Sequence, residues 1–116
     1  MGRIRPLPDI HSKNRARRQY AERMAMNTAI QGSAADLIKI AMIRIQQALD
    51  NRQLKSHMVL QVHDELIWDA MPGEIETLTE IAENHMIHAL NLQVPLVVEF
   101  KVGSNWELMT KLKRTR

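Results

Sequence analysis

The chain has 116 residues, 45% of them hydrophobic and 25% charged, values that fit one small soluble globular domain and argue against disorder. It contains no cysteine, which removes disulfides, thiolate nucleophiles and Cys-based zinc sites and fits a reducing compartment. The net charge of +3 hides an asymmetry: residues 1–23 carry seven cations against two anions, residues 24–110 five against eleven, and the closing "KLKRTR" adds four cations. Two basic ends attract polyanions, nucleic acid first and an acidic membrane surface second, unless they are only a solvated helix face and a frayed tail.

The opening "MGRIRPLPDI" lacks the apolar core of a signal peptide, and no run of about 18 apolar residues follows for a membrane span, so a cytoplasmic protein is expected. Its two prolines make it extended or turning. Ser12 or Asn14 then caps a mostly polar helix over Lys13–Asn27, with Ala16, Tyr20 and Met24 as a thin apolar stripe. Gly32 is the expected break, and Ser33 the N-cap of a second helix over Ala34–Asn51. In that helix Leu37, Ile38, Ala41, Met42, Ile45, Ala48 and Leu49 recur at spacings of three and four, which gives a broad buried face.

"HMVLQVH" follows as a strand with Met58, Leu60 and Val62 on one face, and "ELIWDA" as its antiparallel partner, which leaves Asp64 at or beside a tight connection. Pro72 and Gly73 end the hairpin. "EIETLTEIAENHMIHAL" is a third helix, with Glu74 and Glu76 at its N-terminus, and Val94–Val102 a last strand. The expected fold class is α+β: an antiparallel sheet, made of the hairpin plus a C-terminal strand, covered by about three helices. Trp68 and Trp106 are read as packing anchors, since only 3% of the chain is aromatic. Most of the eight methionines are core filler, and His85 and His88 are helix-surface or partly buried residues.

The hairpin tip "LQVHDEL" places His63, Asp64 and Glu65 after an apolar run. A carboxylate there is exposed enough to bind a metal and is fixed by two paired strands. Magnesium prefers oxygen ligands and completes its shell with waters and substrate phosphates. Consecutive strand residues face opposite ways, so only a turn or bulge brings Asp64 and Glu65 to one ion; Asp64 is the better ligand. The alternative is a polar turn and nothing more.

The segment "AERMAMNTAIQGSAADLIKIAM", followed by "LQVHDEL", resembles the C-terminal part of the palm subdomain of family A DNA polymerases, of the bacterial DNA polymerase I type. "GRIRPLPDI" looks like the family's basic strand segment and "VPLVVEFKVGSNW" like its closing strand, so the resemblance covers nearly the whole chain. It implies that Asp64 is a metal-binding aspartate, His63 the neighbour that approaches the primer terminus, and Glu65 the accompanying acidic residue. Arg23, Asn27 and Gln31 match residues of a helix that touches the primer-template duplex. Their spacing agrees, because each four-residue step turns about 40° round a helix, provided that the helix runs unbroken through Thr28.

Minor-groove acceptors occupy nearly equivalent positions in every base pair, so such donors test pair geometry without reading sequence. Arg3, Arg5, Arg15 and Arg18 would meet phosphate. The implied reaction is two-metal nucleotidyl transfer with Mg2+ ions about 4 Å apart, acting on deoxynucleoside triphosphates and primer-template DNA. It needs a second aspartate, which the resemblance puts in the upstream remainder of the polymerase; Asp9, Asp36, Asp50 and Asp69 match no such motif. Ala29 stands where the family often has proline, and Ile4 interrupts what is commonly a basic run.

The expected organisation is a basic DNA-contacting region (1–33), a palm core (34–108) and a basic tail (109–116). The chain would be a fragment or one part of a split polymerase, inactive alone. The alternatives are a non-catalytic, sequence-independent duplex-binding module and a decayed remnant.

Overall fold

In the computed structural model, which describes residues 2–112, a single helix runs where two were expected. α1 spans Arg15–Asn51, and its length of about 55 Å at 1.5 Å per residue sets the longest dimension of the molecule, 60 Å. Asn14 is the cap: its side-chain oxygen accepts from the amides of Ala16 and Arg17. Gly32 does not break the helix, and Ser33 caps nothing. Its hydroxyl donates instead to the Ala29 carbonyl, 2.7 Å away.

The reason lies in the relative costs. A glycine inside a helix costs about 1 kcal/mol against alanine, whereas ending one helix and starting another leaves up to four carbonyls without partners on one side of the break and four amides on the other. The break costs more than the glycine, so the helix continues.

The core sits on the C-terminal half of α1. Ala41, Ile45 and Leu49, one helical turn apart, pack against Leu78, Ile81 and Ala82 of α2, which spans Ile75–Ile87. Ile45 is 0% exposed. The N-terminal half of α1 buries only Ala21. The N-terminal segment packs along part of it, with its short 3-10 turn at Pro8–His11 against α1. Arg3 pairs with Asp36, and Arg5 donates to the Thr28 hydroxyl at 2.9 Å.

Between the helices, β1 (His57–Val62) and β2 (Glu65–Asp69) form the expected antiparallel hairpin. The register slips between Met58, which faces Trp68, and Leu60, which faces Ile67, so Val59 is an extra residue in β1. This bulge breaks the expected alternation. Met58 and Val62 are half-buried, but Leu60 is 42% exposed.

The C-terminal strand also departs from expectation. Ladder pairing is confined to β3 (Lys101–Val102), which pairs with β4 (Thr110–Lys111) in a second, separate two-stranded sheet. Residues 95–100 keep the in-and-out burial of a strand outside the ladder, although the Phe100 carbonyl accepts from the Leu112 amide at 2.8 Å. Gly103 lets the chain double back here: a Cβ on it would lie 2.8 Å from the Leu108 carbonyl carbon and 2.9 Å from the Met109 Cα. The α+β expectation holds, with two α-helices in place of three. The basic tail beyond Leu112 lies outside the described residues. No helix among these residues is long and apolar enough to cross a membrane.

Glu74 ties these parts together. One carboxylate oxygen accepts from the Ser56 amide (2.8 Å), the Ser56 hydroxyl (2.8 Å) and the Lys55 amide (2.9 Å). The Ser56 oxygen in turn accepts from the Met71 amide at 3.0 Å. The Lys55 amide is the largest influence holding the Glu74 carboxyl below its ordinary value of 4.5, against a partial desolvation that raises it.

A carboxylate with a depressed folded pKa stabilises the fold above its unfolded pKa and loses that contribution as pH falls through the folded value. Thermal melts should therefore separate wild type from Glu74→Gln at pH 7, with the variant lower. The gap should close as the pH is taken below 4.5.

Candidate functional site

The pairing of Val62 with Glu65 leaves His63 and Asp64 as a two-residue turn at the hairpin tip. His63 has φ 54°, one of two positive values among the described non-glycine residues. Two-residue hairpin turns require such a value at the first central position because it matches the twist of the strands, and glycine is the residue that adopts it without strain. The Gln61 side-chain amide donates to the His63 carbonyl at 3.1 Å. Sequence reasoning missed Gln61. The available signal was a histidine at a turn position that favours glycine, which calls for a restraint nearby.

Asp64 leaves the strand alternation at this turn, so it and Glu65 both border one open cleft of about 990 Å³. The opposite wall is the C-terminal segment from Val97 to Met109, and the floor includes Trp68, Leu78 and Met86. His63 does not line the cleft. The indole N–H of Trp68 is buried without an acceptor among the described residues.

Trp68 otherwise packs on the core as expected, whereas Trp106 is 54% exposed and anchors nothing comparable. Carboxylate oxygens suit a hard cation such as magnesium. Among the described residues, however, no three His, Cys, Asp or Glu side chains are grouped to hold an ion, so this chain offers at most two ligands at the tip.

Arg23, Asn27 and Gln31 lie on the unbroken α1, are exposed, and make no hydrogen bond or ion pair among the described residues. Eighteen residues make five turns of about 3.6. Arg23, Asn27 and Gln31 therefore share their helical azimuths with Ala41, Ile45 and Leu49. The face of α1 that buries the core beside α2 continues, toward the N-terminus, as a stripe of free donors.

The expected phosphate contacts divide. Arg15 is exposed and unpaired among the described residues, and Arg18 makes only a 3.9 Å contact with Glu22. Arg3 and Arg5 are engaged by Asp36 and Thr28. Those contacts join residues 33 and 23 positions apart, a separation that local pattern does not reveal.

The model for DNA polymerase family A matches residues 1–108. Among curated proteins, the DNA polymerase I of Caldicellulosiruptor bescii is 53% identical over 104 residues, covering 90% of this chain and 12% of its own length. The DNA polymerase I of Bacillus subtilis is 52% identical over 106 residues, covering 91% and 12%. Among solved structures, the POL domain of Pol1 from M. smegmatis, in complex with DNA primer-template and dNTP, is similar with a TM-score of 0.76 and 48% identity, over 80% of this chain and 16% of that one. The chain spans about an eighth of the length of the curated relatives it matches.

Proposed function

The chain belongs to DNA polymerase family A, and from that premise we propose that it is the C-terminal palm portion of a template-directed DNA polymerase, active only with the remainder of the polymerase domain. The observation that carries this reading is the cleft. Two carboxylates stand at its lip, β2 forms one wall, and residues 97–102 form the other in extended form without a full ladder.

A strand entering between these walls would pair with the edge of β2 and with the backbone of residues 97–99, since unpaired strand edges seek partners. It would also bring an acceptor near the Trp68 indole N–H and a further carboxylate near Asp64. The third ligand that the described residues lack would then come from the upstream polypeptide.

In this arrangement Asp64 holds one magnesium ion and Glu65 supports it from the next position. When bound, magnesium lowers the pKa of the primer hydroxyl and neutralises the triphosphate. The rest falls to the chain. The hairpin fixes the Asp64 backbone, and His63, on the outer side of the turn, is placed to meet the primer end.

The donor stripe from Arg23 to Gln31 covers about 12 Å at 1.5 Å per residue, roughly three to four base steps of 3.4 Å. It lies on the same side of α1 as the core, so the duplex meets the stripe on the face where α2 packs. Organisation follows suit: residues 1–33 contact DNA, residues 34–108 form the palm core, and 109–116 are a basic extension.

The direct test mixes this chain with a polypeptide supplying the upstream polymerase segments and measures primer extension with Mg2+ and deoxynucleoside triphosphates. Extension by the mixture and by neither part alone is expected. Extension by neither the parts nor the mixture, together with Mg2+-independent duplex binding by this chain, would favour a non-catalytic DNA-binding module.

Binding by the stripe and by the phosphate contacts should also separate by salt. Arg15→Ala is expected to lower the slope of log affinity against log salt by about 0.9, the value for one phosphate contact. Asn27→Ala should leave the slope unchanged and weaken binding about two- to twelvefold, the worth of one hydrogen bond of about 0.5–1.5 kcal/mol. Fluorescence anisotropy with a labelled primer-template over a salt series reads both.

A further inference from the structure

Gln61 lies outside the His-Asp-Glu triplet, yet its side chain is the one that grips the turn. We propose that Gln61 is a positioning residue: its amide holds the His63–Asp64 turn in the left-handed conformation that keeps Asp64 at the lip of the cleft. The inference rests on the reading of Asp64 as a metal ligand.

Three observations meet here. His63 is a residue with a Cβ at φ 54°, a region that disfavours side chains because the Cβ approaches the following carbonyl oxygen. Such conformations persist where their surroundings over-determine them. Paired backbone supplies part of that constraint through Val62 and Glu65. The Gln61 amide adds the rest, donating to the His63 carbonyl oxygen at 3.1 Å.

The direction of this bond is set by chemistry, since a carbonyl can only accept. The His63 carbonyl belongs to the peptide unit that joins His63 to Asp64, so its orientation fixes the plane from which the Asp64 backbone departs. If that peptide rotates, the Asp64 carboxylate swings away from Glu65 and the cleft that both now border. Gln61 is exposed, and its side chain makes no other hydrogen bond among the described residues, so its removal disturbs the turn without opening the core.

The test uses the full chain carrying Gln61→Met, a side chain of similar length that cannot donate, alone and combined with His63→Gly. Three-bond couplings from NMR report φ at position 63, and Mn2+ line broadening reports the carboxylates at the tip. Expected in Gln61→Met are partial loss of the positive φ and weaker broadening at Asp64 and Glu65. In primer extension by the chain with the upstream polypeptide, kcat should fall by up to about tenfold, the reach of a single hydrogen bond, with the KM for nucleotide unchanged.

Glycine reaches positive φ without strain, so in the His63→Gly background the same substitution should cost less in both φ and broadening. A merely structural role would not give that rescue. An unchanged φ at His63 in Gln61→Met, or a changed φ with undiminished broadening at Asp64, overturns the proposal. Absence of Mn2+ broadening at Asp64 in the unaltered chain mixed with the upstream polypeptide overturns the metal reading and the positioning role with it. An unchanged φ beside intact broadening removes the clamp alone.

Discussion

Asp64→Asn is expected to reduce single-turnover primer extension by about 10³-fold in the enzyme assembled from this chain and its upstream partner. The argument runs through magnitudes. Metal polarisation at a phosphoryl centre is worth several kcal/mol of transition-state stabilisation. At 1.36 kcal/mol per tenfold in rate, a loss of about 4 kcal/mol gives the stated factor.

The substitution keeps the size of the side chain and leaves an amide where a hard cation prefers an anionic oxygen. Stability should hardly move. The Asp64 side chain is exposed and makes no hydrogen bond or ion pair among the described residues, and substitutions of that kind fall within about 0.5 kcal/mol.

DNA binding without metal should be unchanged or slightly tighter, because one negative charge is removed beside the phosphate path. The signature is thus a collapse in rate with duplex affinity and melting temperature preserved. Extension that survives Asp64→Asn would take the catalytic role away from this residue. Glu65→Gln serves as the companion: as the supporting carboxylate it should cost less than Asp64→Asn.

Much of this arrangement is legible in the sequence wherever the determining interactions are local. The Asn14 cap, the 41–45–49 stripe, the hairpin and the placement of Asp64 in its turn all follow from spacing, turn chemistry and propensity within a few residues. The failures are non-local. Gly32 is read as a break because glycine is unfavourable in isolation. The continuing helix wins because it keeps its own hydrogen bonds, and the N-terminal segment packs along it through Arg3 and Arg5.

Val94–Val102 has the composition and alternation of a strand, but a strand exists as a ladder only beside a partner. Within the described residues ladder pairing is confined to Lys101–Val102, with one further backbone bond from the Leu112 amide to the Phe100 carbonyl. The bulge at Val59 has no sequence marker. At the candidate site, the residue types were readable and the cleft that relates them was not, because its two walls come from segments some 30 residues apart.

Ile45→Ala is expected to be among the most destabilising single changes in the chain, at about 2–5 kcal/mol by comparison with other buried isoleucine truncations. Ile45 is 0% exposed and lies at the centre of the contact between α1 and α2, with Ala41 and Leu49 one turn to either side. Few large side chains share the burden: Ile45 and Leu49 are the largest that are fully buried among the described residues. A cavity there cannot be closed by a neighbour of similar size without shifting a helix.

Domains of this size hold about 5–15 kcal/mol in total, so the loss is a large share. The control is Ile43→Ala on the same helix. Ile43 is 62% exposed, and its truncation should stay within about 0.5 kcal/mol.

Urea titration separates the two: the midpoint should drop steeply for Ile45→Ala with the slope m unchanged, and hardly at all for Ile43→Ala. The same experiment bears on function. Ile45 shares its azimuth with Asn27, so α1 acts as one lever whose N-terminal half presents the donor stripe and whose C-terminal half is fastened at Ile45. If the fastening loosens, the stripe and the hairpin tip lose their fixed relation. Extension by Ile45→Ala should then fall at temperatures below its melting point, while duplex binding by the stripe alone persists.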